Sequence, residues 1–66
     1  MIFNTQLGAG IVTVHWSYDR DDTGIYNTGV DAVMYQGIDV KDILEDQTLE
    51  ALDTEGNFRF MEQFHD

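Results

Sequence analysis

The sequence has no cysteine and no proline, and only three basic residues, Arg20, Lys41 and Arg59, among its 66. Each absence excludes something. Without cysteine there is no disulfide staple, no thiolate metal site and no cysteine nucleophile. That is in keeping with a reducing compartment. Without proline, no segment reads as a stiff linker. Three bases against thirteen acids leave a net charge of −10. A chain this acidic repels phosphates and anionic lipid headgroups, so neither direct nucleic-acid binding nor membrane binding is expected. No apolar run approaches the ~20 residues that cross a bilayer as a helix. The opening MIFNTQLGAG has neither a basic n-region nor an apolar h-region, so it is not expected to be a signal peptide.

What is present suffices for a core. Hydrophobic residues make up 42%, including Trp16, three tyrosines and four phenylalanines. The expectation is a single domain over residues 1–66. Its charge is uneven. Residues 1–38 hold four acids and one base, net −3, whereas residues 39–66 hold nine acids and two bases, net −7.

The richest local signals lie in GIDVKDILEDQTLEALDTEG, Gly37 to Gly56. Asp39 has the chemistry of a helix N-cap. Val40, Ile43 and Leu44 share a helical stripe that Leu49 and Leu52 extend. Gly56 supplies a stop, since glycine readily closes a helix in the left-handed conformation. The spacing predicts one bent helix over 39–55, or two joined in line with Asp46 capping the second. Upstream, residues 2–6 form a short strand and Leu7–Gly10 a turn. Residues 11–18, IVTVHWSY, alternate Val12, Val14, Trp16 and Tyr18 with Thr13, His15 and Ser17, the period of a half-buried strand. Asp19–Gly24 reads as a polar loop. A second strand falls within 25–36, best placed at Val30–Tyr35, with a turn or bulge at Asn27–Gly29. Residues 57–66 fit either alternation, through Phe58 and Phe60, or a helical turn, through Phe60, Met61 and Phe64; a last strand or extended tail is preferred. The fold class expected is α+β, a small antiparallel sheet of three to four strands packed on one helix that is either continuous or broken. Val12, Val14, Trp16, Val33, Ile38, Ile43, Leu44, Leu49 and Leu52 are expected in the core.

Over roughly residues 11–55, this order resembles small acidic proteins encoded by bacteriophages: a strand ending in an aromatic, an acidic loop, a second strand, then a helix. The residues that carry the likeness are Gly37, Asp39, Val40, Asp42, Ile43, Leu44, Leu49, Glu50 and Leu52. The resemblance implies an accessory role in the bacterial cytoplasm, since the understood members of this group tend to bind and block a host protein. It transfers no functional residue.

The candidate site is a row of carboxylates. Asp42, Asp46, Glu50 and Asp53 follow at spacings of four, four and three, about 5–6 Å apart on a continuous helix. Such a stripe suits docking on a basic groove, and the competing explanation is a solvated face that keeps a small protein dissolved. Glu45 flanks the stripe. Tyr35 and Tyr26 are candidate exposed aromatics, and Tyr35 joins the partner-binding set.

Other patterns fail on inspection. Asp19-x-Asp21-x-Thr23-Gly24 opens like a calcium loop, but position twelve is Val30 rather than a bidentate glutamate. Asp22-Thr23-Gly24 spells the aspartic-protease triplet without the apolar strand or the chain length of a cleft. His15 lies on the polar side of its strand, and His65 lies far away in sequence, so zinc is not expected. No cofactor and no catalysis are expected.

The expected function is therefore a non-enzymatic inhibitor. It would bind a basic host protein (a nuclease, CRISPR effector, restriction, polymerase or repair protein) by occlusion or DNA mimicry. The alternative is a small assembly protein that forms a homodimer or larger oligomer through strand edges and aromatics.

Overall fold

The computed structural model describes residues 1–64; His65 and the end of the expected C-terminal tail lie outside them. Four strands form one antiparallel sheet in the order β1-β2-β3-β4. They are β1 (Ile2–Leu7), β2 (Gly10–Asp21), β3 (Gly24–Tyr35) and β4 (Ile38–Asp39). A short 3-10 helix, Lys41–Ile43, leads into α1 (Asp46–Phe64), which covers one face of the sheet. This is the α+β class expected.

Each hairpin closes through two residues. Leu7 pairs with Gly10, Asp21 with Gly24 and Tyr35 with Ile38. At the last turn Gln36 and Gly37 both have positive φ, 50° and 82°. That pair of values belongs to the turn whose twist matches flanking antiparallel strands. The polar loop expected over 19–24 shrinks to this hairpin format, because Asp21 folds its carboxylate over the turn. Its Oδ1 accepts from the Thr23 amide at 2.8 Å and the Thr23 hydroxyl at 2.6 Å. The calcium-loop pattern thus forms a closed β-turn.

β3 carries two bulges against β2. Asp31 is extra between the pairs Trp16–Val30 and His15–Ala32, and Asn27 and Thr28 together oppose Tyr18. Asn27 is left with φ 53°. A bulge adds one residue to one strand and shifts which side chains face inward. The inward positions of β3 are consequently Ile25, Thr28, Val30 and Val33, spaced three, two and three. Strict alternation, which served for β2, fails here.

The core is Phe3, Val12, Val14, Trp16, Val33 and Leu52, ringed by Leu7, Tyr18, Ile25, Val30, Val40, Leu44, Leu49 and Phe60. Ile38 and Ile43 were expected inside, yet they are 65% and 80% exposed. Both belong to a segment that is not the expected helix. Residues 38–39 pair with β3, and the chain then makes one 3-10 turn. The cause is Asp39: its Oδ1 accepts from the backbone amides of Val33 at 3.3 Å and Lys41 at 3.0 Å. The carboxylate is thus bound to the sheet and to the turn that follows, and it does not cap a long helix.

α1 begins at Asp46, where the Leu49 amide reaches the Glu45 carbonyl at 3.1 Å, and runs through Gly56 to Phe64. Two expectations are corrected here. Gly56 does not stop the helix, and the described part of 57–66 is helical. The reason is contact with Trp16. A Cβ on Gly56 would lie 2.7 Å from Cδ1 and Nε1 of the indole and 2.8 Å from Cδ2. Only glycine lets the helix backbone rest directly on that ring. Phe60 then closes the far side, 4.9 Å from Tyr18 in an edge arrangement and 6.3 Å from Trp16.

Gly56→Ala accordingly has a counterintuitive sign. Alanine favours a helix by about 1 kcal/mol, but overpacking against Trp16 costs about 1–3 kcal/mol. The variant is expected to be less stable in urea unfolding, with Tm lowered by about 4–8 °C for each kcal/mol lost. Equal or higher stability would show that the helix does not rest on the indole.

Candidate partner-binding surface

The structure divides the expected carboxylate stripe into three. Asp42 sits on the 3-10 helix, separated from α1 by Leu44 and Glu45, so it is not one turn above Asp46 on a shared helix. Asp46 and Glu50 do share the exposed side of the first turns of α1. Asp53 faces the sheet. Its Oδ1 accepts from the Trp16 indole N–H at 2.6 Å, and its Oδ2 accepts from the Thr28 hydroxyl at 3.3 Å. Asn57 extends this network, donating to the Asp53 carbonyl at 2.9 Å and to the Thr28 hydroxyl at 3.5 Å. Asp53 is therefore half-buried and committed to the fold, a correction to its place among partner-binding residues.

Glu55 is similarly occupied. It accepts from the Thr5 hydroxyl at 2.8 Å and pairs with Arg59 at 2.7 Å, one turn along. The Arg59 guanidinium also lies 4.9 Å from the centre of the Phe3 ring. This is the one ion pair among the described residues.

What remains is an acidic cluster of Asp42, Glu45, Asp46 and Glu50, all exposed, around the start of α1. Part of it has a local reason. Carboxylates in the first turn of a helix face the positive end of its dipole and stabilise it by about 0.3–1 kcal/mol each. A second acidic group, Asp19, Asp21 and Asp22, lies at the β2–β3 hairpin. Asp19 accepts from Asn27 at 3.0 Å across the strands. Ten of the twelve described carboxylates are exposed. The lack of ion pairing over so many is the electrostatic signature of this surface.

Tyr35 is partly exposed, as expected, and so is Tyr26. The Tyr35 ring lies over Gly10 and lines a shallow apolar groove with Leu7, Val12, Val40, Ile43 and Leu44. That groove adjoins the 3-10 helix bearing Asp42. The sequence alone did not indicate it, because Ile43 looked like core. Phe58 and Met61 are also exposed, on the outer side of α1.

His15 is half-buried on the sheet face away from α1. Among the described residues no three His, Asp or Glu side chains converge as a metal would require. No described helix is long and apolar enough to cross a membrane. Compared with known proteins, the chain matches no family model, no curated protein and no solved structure.

Two predictions distinguish the structural carboxylates from the exposed ones. Asp53→Ala removes a charged acceptor from the indole and should cost about 1.5–3 kcal/mol in urea unfolding; Asp46→Ala should change stability by no more than about 1 kcal/mol. Equal effects would contradict the division. For Asp39, the Lys41 amide first and the Val33 amide second hold the carboxyl below its ordinary value of 3.8. The charged form is the bonded one, so its contribution to stability is full above that value. It is lost as the pH falls through the lower, folded-state pKa. A carboxyl NMR titration should therefore place the Asp39 midpoint below 3.8. Asp39→Asn should flatten the acid limb of the stability curve over the same window.

Proposed function

We propose that this chain is a non-enzymatic inhibitor that docks its acidic surface on a basic, nucleic-acid-handling host protein, in the bacterial cytoplasm. It would act by occlusion, its carboxylates standing where phosphates would lie. One observation carries this reading: a net charge of −10 with a single ion pair among the described residues. Solubility alone is served by a smaller net charge, about 2–8 in magnitude for a small domain. The docking surface is the cluster Asp42, Glu45, Asp46 and Glu50, with Tyr35 and the apolar groove beside it as an anchor. Asp53 contributes indirectly, by holding the helix in place. The likeness to small acidic phage proteins supports the same class.

The experiment is capture from a bacterial lysate on the immobilised chain, followed by affinity measurement at rising salt. Captured partners should be basic proteins, and exposed charge pairs should weaken as the Debye length shortens from about 10 Å at 0.1 M towards 3 Å at 1 M. Asp46→Lys with Glu50→Lys, which leaves the Trp16–Asp53 contact intact, should abolish capture while the circular dichroism spectrum is unchanged. A folded double variant that keeps the same partner at the same affinity would refute the reading.

A further inference from the structure

The two edges of the sheet are unlike. β4 is two residues long and covers only Met34 and Tyr35, so the rest of that edge is β3, which is broken by two bulges and bears Asp31. β1 is six residues long, and residues 1–18 contain no Asp, Glu, Lys or Arg. Long uncharged edges are what soluble proteins ordinarily avoid, because they pair with other strands.

The free groups on β1 can be assigned. Met1 and Trp16 exchange reciprocal backbone bonds, at 2.7 and 2.8 Å. In an antiparallel ladder such pairs alternate. Phe3, Thr5 and Leu7 therefore also bond inward to β2, and the amides and carbonyls of Ile2, Asn4 and Gln6 point outward.

We propose that β1 pairs antiparallel with β1 of a second copy about a two-fold axis at Asn4, making one continuous eight-stranded sheet. Asn4 then bonds reciprocally to Asn4 of the second copy, and Ile2 to Gln6 of the second copy on each side. All six outward groups of each edge are satisfied. Two copies at −10 repel wherever carboxylates meet, and β1 itself brings none to this contact.

The helix side of the edge is self-complementary. Phe3, with Arg59 over its ring, lies across from Thr5 of the second copy, whose hydroxyl bonds Glu55. Each Arg59 is thus brought toward the other copy's Glu55, and charges of opposite sign alternate across the axis. Leu7 of the second copy, opposite Met1, extends over a shallow groove lined by Met1, Ile2, Phe3, Arg59, Glu62 and Gln63.

Sedimentation equilibrium of the full chain tests this. The wild type should have twice the 7.6 kDa chain mass. Asn4→Pro deletes an outward N–H together with the exposed side-chain bond from Thr13, and edge strands tolerate proline there. Asn4→Lys places like charges on the axis. Both variants should sediment at half the wild-type mass with unchanged circular dichroism. Hydrogen exchange on the wild type is a second readout that needs no variant: the amides of Ile2, Asn4 and Gln6 should be protected. Three results would overturn the proposal. The wild type could be monomeric, either variant could remain dimeric, or those three amides could exchange as freely as a hairpin turn. Protection that arises only when another protein is added would assign the edge to a foreign strand instead.

Discussion

The contact between the Trp16 indole and the backbone of α1 at Gly56 sets the geometry of this protein. A ring of that size, fully buried in so small a core, cannot be covered by side chains alone. The helix itself comes down on it, which position 56 permits by having no Cβ. The indole N–H would be stranded by this burial, and Asp53, one turn earlier, accepts it. Phe60, one turn later, completes the enclosure with Tyr18. Three consecutive helical turns are thus specified by one side chain of the sheet. The bulges in β3 serve the same contact: they place Val30 across from Trp16 and turn Thr28 toward Asp53.

This constraint divides the electrostatics as well. Asp53 and Glu55 are drawn toward the sheet by Trp16, Thr28 and Thr5, which leaves the acids before residue 51 to face solvent. The start of α1 is therefore densely negative, whereas β1 itself carries no charged side chain.

Much of the sheet was legible in the sequence. The β2 pattern Val12, Val14, Trp16 is strictly alternating and β-branched or aromatic, and all three are buried as that pattern requires. The helix was legible only in part. Leu49 and Leu52 mark its first turns, but its inward stripe then continues through Asp53 and Gly56, residues that read as surface and as a stop. Neither betrays its role without knowledge of where Trp16 lies. Asp39 was read as a helix cap for its local chemistry, which it does supply, but to a 3-10 turn and to β3. Ile43 followed that misplaced helix into the expected core, and Ile38, just before it, was expected inside as well. Of the candidate site, Asp46 and Glu50 keep their expected neighbour relation. Asp42 loses it because α1 starts only at Asp46, and helix boundaries are what local sequence specifies least well; Asp53 loses it because its carboxylate turns to the Trp16 indole and the Thr28 hydroxyl.

The order of elements along the chain has a consequence for biogenesis. All four strands precede α1, so the ribosome releases the whole meander before the segment that shields it. Until Phe60 has cleared the exit tunnel, Val12, Val14, Trp16 and Val33 face water on a nascent ribbon whose first eighteen residues bear no charged side chain to deter association. Antiparallel hairpins form in microseconds, far faster than translation at about 5–20 residues per second. The roughly 20 residues between β4 and Phe60 take about 1–4 s to add at that rate, so the ribbon stays unshielded for about that long. The α1 segment follows the strands and brings the lid together with further carboxylates.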